Sequence, residues 1–257
     1  MRLPAPLAQR WRGSAVARAA EGARLRVWAR LAAGEGVECP CCGGRFRRFA
    51  PYGVRPRRPH AQCPGCGAME RHRLLWLYLR ERTDLFARPQ RLLHVAPEPV
   101  FEARLRAAPH LAYVSVDLAS PRALVRADVQ RLPHPDACFD AVLCHHVLEH
   151  VADDRAAMRE LRRVLRPGGF ALLQSPVQRR LPETVEDPAV RDPRERERLF
   201  GQHDHVRQYG ADYGARLREA GFEVRAERFA DALGPERSAR HGVKRETVWL
   251  CLRPPGA

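Results

Sequence analysis

The sequence predicts an α/β protein, a doubly wound sheet of seven strands preceded by a small module built around a metal ion. Three observations predict this class. Short apolar runs alternate with helical stretches over the C-terminal two thirds of the chain, as in parallel βαβ units. Two Cys-x-x-Cys pairs stand near the N-terminus, and 257 residues suffice for one large domain plus a small accessory module.

Composition favours a folded protein in a reducing compartment. Hydrophobic residues make up 45% of the chain and aromatic residues 7%, as in a protein with a buried core. No run approaches the roughly 18 apolar residues that cross a membrane, and a signal-peptide core is lacking, so we expect a cytoplasmic protein without a membrane partner. In that compartment eight cysteines indicate metal binding more than disulfides.

The formal net charge of +15 raises the hypothesis of a nucleic-acid partner. The excess lies in residues 1–90, where 18 Arg stand against 6 acidic residues, whereas the remainder holds 27 basic and 24 acidic residues. Lys244 is the only lysine, so a coding bias toward arginine accounts for the excess as readily as phosphate contacts do. RNA is therefore the less favoured partner.

Three segments are predicted along the chain. Residues 1–36 form a basic helical segment with Leu7, Trp11, Ala15 and Ala19 at helical spacing, to which we assign no function. Residues 37–68 form a loop-built module, and residues 69–257 form the main domain, which a helix from Met69 to Arg82 opens.

Seven strands are predicted in the main domain. The last two are joined by a polar segment and are expected to pair antiparallel at the edge of the sheet. The predicted strands are Arg91–Val95, Tyr113–Asp117, Leu124–Ala127, Ala141–Cys144, Phe170–Gln174, Phe222–Phe229 and Thr247–Leu252.

Two carboxylates follow predicted parallel strands, at the edge where doubly wound sheets bind ligands. Asp117 ends the second strand in YVSVDL, where it suits the two ribose hydroxyls of a nucleoside cofactor. Asp128 in RADVQRLP suits the exocyclic amine of adenine. Either residue alone is equally well explained as a surface carboxylate at a strand end.

The segment CFDAVLCHHVLEHVADD, followed by AMRELRRVLRPGG and FALLQSP, resembles the class I S-adenosylmethionine-dependent methyltransferases of the small-molecule, methyltransferase-11-like type. The resemblance covers roughly Arg91 to Arg253. It implies a Rossmann-like methyltransferase sheet and S-adenosyl-L-methionine as cofactor. The cofactor-binding residues on this basis are His94, Ala96, Glu98, Asp117, Asp128, Val129 and His145.

The turn after the first strand departs from this family, which usually carries G-x-G-x-G there. The chain instead reads LLHVAPEPVFE, in which Pro97 presets one φ angle and restricts Ala96, so that a tight turn is feasible without glycine. The missing glycines also argue against a nicotinamide dehydrogenase, because its pyrophosphate needs a glycine-rich turn at a helix N-terminus.

Acceptor residues are predicted at two places. His145 and His146, at the end of the fourth strand, either act in catalysis or only pack against the cofactor. The insertion at residues 177–208 is long enough to be a lid or an acceptor site, although a charged surface loop also explains part of it. In and beside it we predict catalytic roles for His203 and His205, and substrate contacts for Thr184, Glu186, Asp187, Asp204, Arg207 and Tyr209.

The two cysteine pairs predict a structural zinc site in a zinc-ribbon-like module. Cys39, Cys42, Cys63 and Cys66 complete two Cys-x-x-Cys-Gly knuckles, which suit tetrahedral Zn²⁺ and leave no open position on the metal. Cys41 is then a spare thiol, and Cys138, Cys144 and Cys251 are lone buried cysteines. The arginines between the knuckles offset the thiolate charge more readily than they contact RNA. These are Arg45, Arg47, Arg48, Arg55, Arg57 and Arg58.

The sequence thus predicts methyl transfer from S-adenosylmethionine to a small-molecule acceptor, such as a sugar or natural-product intermediate. An RNA methyltransferase that grips RNA with its basic zinc module is the first alternative. A non-catalytic binding module with a degenerate cofactor turn is the second. The acceptor atom and the oligomeric state stay open.

Overall fold

The computed structural model describes residues 15–53 and 58–256, which form two compact units. One unit holds the described residues up to Glu81 together with Phe229–Glu246, and the other holds Arg82–Arg228 and the residues from Thr247 onward. Leu7 and Trp11 lie outside the described residues. The predicted domain boundaries stay predictions, because packing alone does not show which segments fold independently. No helix in the described ranges is long and apolar enough to span a bilayer.

The first unit combines small hairpins with helices. Strands β1 and β2 pair antiparallel, as do β3 and β4. Helix α1 contains the predicted helical positions Ala15 and Ala19, and α2 begins one residue after the predicted start at Met69. The elements are α1 (Ala15–Leu31), β1 (Ala33–Glu38), β2 (Arg45–Phe46), β3 (Ala50–Tyr52), β4 (Arg58–Gln62) and α2 (Glu70–Arg82), with α7 (Phe229–His241) from later in the chain.

A buried arginine ties this unit together. Arg73 of α2 is fully buried, and its guanidinium lies 3.9 Å from the ring centroid of Phe49. It donates hydrogen bonds to the carbonyls of Ala68 beside the second knuckle and of His241 at the end of α7, both at 2.7 Å. Because a buried charge is tolerated only when hydrogen-bonded, these carbonyls fix the positions of three chain segments around one side chain.

The second unit is built on a seven-stranded sheet in the order β12-β13-β9-β8-β5-β6-β7. Strands β5 to β9 run parallel, and β13 pairs antiparallel with both β9 and β12. The elements are β5 (Gln90–Val95), α3 (Pro99–Arg106), β6 (Leu111–Asp117), β7 (Val125–Arg126), β8 (Phe139–His145), a 3-10 turn η1 (Leu148–His150), α4 (Asp154–Val164), β9 (Leu165–Gln174), β10 (Val185–Glu186), α5 (Pro193–Phe200), β11 (Arg207–Gln208), α6 (Tyr213–Glu219), β12 (Glu223–Glu227) and β13 (Val248–Leu252).

The seven predicted strands and the antiparallel edge are confirmed, although their ends differ. The sixth strand is shorter than predicted, since β12 ends at Glu227 and Phe229 begins α7. The largest difference is at β9. That strand begins at Leu165, five residues before the predicted start, because Leu165 is buried and pairs with Phe139 of β8. Gly168 has φ 79° and lies inside the strand, so the glycine pair forms a bulge in β9. A Cβ on Gly169 would lie 2.7 Å from the carbonyl oxygen of Asp140, so this approach requires glycine.

The core of the second unit lies between the sheet and helices α4 and α6. Leu93 and Val142 of the central strands pack in one cluster with Leu161 of α4 and Leu217 of α6. The apolar positions of α4 recur at helical spacing, which is why this segment forms an amphipathic helix. Its first residues follow Asp153, whose side chain accepts a hydrogen bond from the Ala156 amide and caps the helix.

The expected burial of Cys138, Cys144 and Cys251 is confirmed.

Candidate functional site

The carboxyl ends of three adjacent strands bring predicted cofactor-binding residues together. Strand β5 lies between β6 and β8, and Val95 pairs with Val116 on one side and with Cys144 on the other. The next residues along the three strands are Ala96, Asp117 and His145. This is the edge at which a doubly wound sheet binds its ligand.

The turn after β5 adopts a left-handed conformation without glycine. Ala96 has φ 49°, and its amide donates a 2.8 Å hydrogen bond to the Val116 carbonyl. Only glycine adopts this region at low cost; a residue with a Cβ adopts it at about 1–2 kcal/mol. The turn therefore keeps the backbone geometry that glycine usually supplies and stores strain at the strand end.

Substitution of Ala96 tests this strain. Ala96→Gly is expected to increase the free energy of unfolding by no more than about 1 kcal/mol. Relief of the Cβ clash in the folded state exceeds the entropy that glycine adds to the unfolded chain. Ala96→Val is expected to destabilise by at least about 2 kcal/mol, because a β-branched side chain tolerates positive φ least. Urea unfolding measures both values; equal effects of the two variants would contradict a strained turn.

Glu98 and His145 contact each other directly. Glu98 is the residue before α3, but its side chain makes no capping hydrogen bond. Its Oε2 instead lies 2.5 Å from Nδ1 of His145, whose side chain is only 5% exposed. This contact links the turn after β5 to the end of β8, so the two side chains lie next to each other at the carboxyl edge of the sheet.

The carboxylates of Asp117 and Asp128 differ in how many of their oxygens already accept hydrogen bonds. Asp117 uses Oδ1 to accept the amides of Ala119 and Ser120 at 2.8 and 2.6 Å, and within the described chain its Oδ2 accepts no hydrogen bond. Asp128 is engaged through both oxygens by the Gln130 side chain. Val129 packs its side chain into the core, which leaves only its backbone for a ligand. Asp117 is thus the better equipped of the two carboxylates to bind a hydroxyl group.

His94 lies inside the sheet and not at its edge. Its Nδ1 is 3.1 Å from the Tyr113 hydroxyl, and its ring packs 6.4 Å from that of Phe101 in α3. Burial lowers the pKa of His94 to about 4, so the ring is neutral at pH 7. Its Nε2 has no partner in the part of the chain that is described. These contacts favour packing beneath the turn over direct contact with a cofactor.

A histidine–carboxylate pair follows β8. His146 has φ 55°, and its Nδ1 lies 2.9 Å from Oε1 of Glu149. Oε2 of the same carboxylate accepts a 2.9 Å hydrogen bond from Ser175 at the end of β9. Burial would raise the pKa of Glu149, but the hydrogen bond and charge of His146 and the Ser175 hydroxyl hold it below its ordinary value. Glu149 is a site residue that sequence reasoning missed; its spacing of three from His146 is a weak signal, since His146 precedes η1 and is not helical.

Residues in and after the insertion form an ionic cluster at the start of α4, in which Asp154, Arg207 and Arg216 are buried. Asp154 accepts from Arg216 at 3.0 Å and from the Tyr209 hydroxyl at 2.7 Å. Glu186 accepts from Arg207 and from Arg216, both at 2.8 Å. Arg207 further donates to the carbonyls of η1 and the residues after it. These contacts favour a structural role for Glu186, Arg207 and Tyr209 over the predicted contacts with substrate.

Thr184 and Asp187 are likewise engaged locally. The Thr184 hydroxyl donates to Asp212 at 2.7 Å, just before α6. Asp187 is exposed and accepts the Ala189 amide at 2.8 Å within a turn. Their predicted contacts with substrate stay predictions.

The segment from Phe200 to Tyr209 returns the insertion to the strand ends. Phe200 and Tyr209 are buried and anchor the two ends of this stretch. The turn between them carries His203, Asp204 and His205, and the Val206 amide donates to the Glu149 carbonyl at 2.9 Å. A pocket of about 130 Å³ lies here, lined by Glu149, Pro176, Val177, Gln178, Phe200, His205, Arg207 and Gln208. His205 thus shares a pocket with the end of β9, whereas His203 and Asp204 do not line it.

In the first unit the four predicted thiols converge. One ligand atom from each of Cys39, Cys42, Cys63 and Cys66 lies within 4.8 Å of the others. The sulfurs of Cys39 and Cys66 are 3.7 Å apart, as are those of Cys42 and Cys63. Four sulfurs at about 2.3 Å from a tetrahedral zinc ion lie about 3.8 Å from one another, so the arrangement fits Zn²⁺.

The surroundings of the thiols agree with the predicted register. Cys41 is buried and its sulfur faces the His72 carbonyl oxygen at 3.7 Å, away from the cluster. Of the arginines between the knuckles, Arg45 pairs with Glu35, Arg47 donates to the Leu31 carbonyl and Arg58 pairs with Glu70. Arg48 lies over the Trp28 ring, whereas Arg55 and Arg57 fall outside the described residues. Arg45 and Arg58 thus form ion pairs with carboxylates of their own unit, and their role in offsetting the thiolate charge stays a prediction.

Sequence comparison identifies the type of domain. A family model described as a methyltransferase domain matches residues 90–173. The 27-O-demethylrifamycin SV methyltransferase of Amycolatopsis mediterranei is 38% identical over 97 residues, which are 38% of this chain and 34% of that protein. A ubiquinone/menaquinone biosynthesis C-methyltransferase of Caulobacter vibrioides is 55% identical over 42 residues, 16% of this chain and 17% of the relative. The chain therefore spans about a third or less of the lengths of these relatives.

Two solved structures are also similar. The [4+2]-cyclase SpnF gives a TM-score of 0.49 at 21% identity, with 75% of this chain and 84% of that chain covered. The 1,6-didemethyltoxoflavin-N1-methyltransferase of Burkholderia thailandensis gives 0.45 at 16% identity, with 69% and 74% covered. The family match lies over β5 to β9, the strands whose carboxyl ends form the site, and it shows that residues 90–173 form a methyltransferase domain.

Proposed function

We propose that the protein transfers a methyl group from S-adenosylmethionine to a small-molecule acceptor. The observation that carries this proposal is the methyltransferase domain at residues 90–173, whose adjacent strand ends carry Asp117, Glu98 and His145. The cofactor's sulfonium supplies an electrophilic methyl group. The residues of this chain have to bind the cofactor, orient the acceptor and exclude water.

The strand ends fit a nucleoside cofactor. Oδ2 of Asp117 is the carboxylate oxygen left for ribose hydroxyls, since Oδ1 already accepts two amides. Ala96 provides a tight turn beside it, and the Glu98 carboxylate lies on the same edge, where it favours a cationic group. Proposed cofactor contacts therefore centre on Asp117, Ala96 and Glu98, with Asp128 and Val129 contributing chiefly through backbone.

His146 is the proposed group that removes an acceptor proton. Glu149 engages its Nδ1, which fixes the ring orientation and leaves Nε2 for the acceptor, and the His146 side chain is 31% exposed. A carboxylate behind an imidazole stabilises the protonated ring that forms when a base takes up a proton. The acceptor class that needs this help is a hydroxyl or another weakly acidic group.

Cofactor binding tests the proposal. Asp117→Ala is expected to weaken binding of S-adenosylmethionine and S-adenosylhomocysteine at least tenfold, because each lost hydrogen bond that involves a charged group costs about 1.5–3 kcal/mol. Calorimetry on the full chain measures this. Asp136→Ala is the matched control, since this carboxylate is 77% exposed and pairs with Arg163.

Transfer of label from methyl-labelled cofactor into fractionated metabolites and RNA then separates the alternatives. Labelled small molecules support the proposal, and labelled RNA would replace it with the RNA methyltransferase. No cofactor binding by the folded wild type would replace it with the non-catalytic module.

A further inference from the structure

We propose that Glu149, His150 and His205 form a second metal site, one that binds a divalent transition-metal ion such as Zn²⁺ beside the pocket of the second unit. One ligand atom of each residue lies within 4.8 Å of the other two. Two imidazoles and one carboxylate are a donor set that zinc and its neighbours in the first transition row favour.

The imidazoles are held as metal-binding histidines usually are. Nδ1 of His150 lies 3.2 Å from the Asp204 carbonyl oxygen, and Nδ1 of His205 lies 3.0 Å from the Phe200 carbonyl oxygen. A carbonyl can only accept, so each Nδ1 carries the proton and each Nε2 keeps its lone pair. Donation of the other ring N–H to a backbone carbonyl is the arrangement that orients histidine ligands and raises their basicity.

The carboxylate is able to serve a metal in addition to its present partners. Glu149 accepts from His146 through Oε1 and from Ser175 through Oε2, and each carboxylate oxygen has two lone pairs. Its side chain is only 2% exposed, and burial of an anion without a full counter-charge is costly. A cation at this place supplies that charge.

The local charge balance permits a cation. Arg207 lines the same pocket, but its charge is offset by Glu186 at 2.8 Å and Asp154 at 3.8 Å. The Asp204 carboxylate lies 3.6 Å from Nδ1 of His150 and adds negative charge on the other side. A pair of hydrogen-bonded histidines without a metal is the competing interpretation, since the His150 and His205 rings pack edge to face at 4.8 Å.

Three protein ligands leave a metal ion with an open position, which distinguishes this site from the closed four-thiolate cluster. Glu149 and His205 both line the pocket, so the open position would serve an oxygen or nitrogen donor of a small molecule that enters it. In a methyltransferase this metal would orient an acceptor. Only that consequence rests on the proposed function, because metal binding is measured without cofactor or methyl transfer.

The test counts metal ions on the full chain. After removal of metal by chelation and reloading with excess Zn²⁺ followed by dialysis, wild type is expected to hold two ions per chain and His150→Ala/His205→Ala one. Cobalt loading distinguishes the sites, because the thiolate cluster gives intense sulfur-to-metal charge-transfer absorption and the nitrogen–oxygen site does not. This absorption should be unchanged in the double variant.

His203→Ala is the matched control, since it lies in the same turn and outside the cluster; it should retain two ions. His205→Gln alone should weaken the second ion at least about 100-fold in Kd, since loss of supporting partners already costs about 10- to 100-fold. This variant decides the matter if the double variant does not fold. One ion in wild type, or a second ion retained by the histidine variants, would overturn the proposal and leave the interpretation of a histidine pair without a metal.

Discussion

Cys63→Ser is expected to release zinc from the four-cysteine cluster and to unfold the surrounding hairpins. The Cys63 sulfur lies 3.7 Å from that of Cys42, and both knuckles lie in turns outside the short strands of the unit. A structural zinc site of this kind contributes about 10–16 kcal/mol of apparent binding free energy, which is coupled to folding. Elemental analysis should report one ion fewer than in wild type, and hydrogen exchange should accelerate across residues 33–68.

Cys41→Ser is the matched control. Cys41 is buried, as are Cys39 and Cys63, but its sulfur faces the His72 carbonyl, so serine in its place should keep the ion and the protection of the module. Loss of zinc from the Cys41 variant with retention in the Cys63 variant would show that a different set of cysteines binds the metal.

The fold of the second unit could be predicted because the sequence patterns that specify its strands and helices are local. Runs such as FDAVLC and FALLQ are apolar on both faces, as buried parallel strands require, and the helices between them show helical spacing. The convergence of Cys39, Cys42, Cys63 and Cys66 could be predicted for the same reason, since both knuckles are complete within four residues. The start of β9 at Leu165 was missed, because a strand that continues through Pro167 and two glycines has no local signature. Helix α7 was also missed, since the segment between the last two strands was predicted only as polar.

The polar clusters could not be predicted, because their members are distant in sequence. Asp154 meets Arg216 after 62 residues and the Tyr209 hydroxyl after 55, and no pattern at either position indicates the partner. From the sequence alone, Glu186, Arg207 and Tyr209 therefore cannot be distinguished from free polar groups in or beside the insertion. His150 and His205 are separated similarly, and the left-handed backbone at Ala96 and His146 is hidden because neither is glycine.

Removal of the Asp154 carboxylate is expected to be among the most destabilising single changes in the second unit. Asp154 is 2% exposed and is the shared acceptor for Arg216 and Tyr209, so Asp154→Ala leaves a buried guanidinium and a buried hydroxyl without this partner. Breaking a buried ion pair in this way costs about 3–5 kcal/mol. Asp187→Ala, at an exposed turn of the same insertion, should change the free energy of unfolding by less than about 0.5 kcal/mol.

The paired replacement Asp154→Leu/Arg216→Leu separates ion pairing from packing. Removing both charges leaves no uncompensated ion, so this variant should be more stable than Asp154→Ala despite having lost two polar side chains. If the double variant were instead less stable than the single one by the full cost of a second deletion, the two residues would act independently and the cluster would not be a coupled network.

The ionic cluster around Asp154 makes the free energy of unfolding depend on pH. Burial would raise the pKa of Asp154, but hydrogen bonds from Arg216 and Tyr209 and the charge of Arg207 hold it below its ordinary value; Arg216 and Arg207 do the same for Glu186. A carboxylate with a lowered folded pKa stabilises above its unfolded pKa of about 4 and loses that stabilisation as pH falls through the folded value. The difference in unfolding free energy between wild type and Asp154→Ala should therefore be full at pH 7 and shrink steadily below about pH 4. Urea unfolding at a series of pH values measures it, and a difference that stayed constant down to pH 2 would mean that the charge of Asp154 contributes nothing to the folded state.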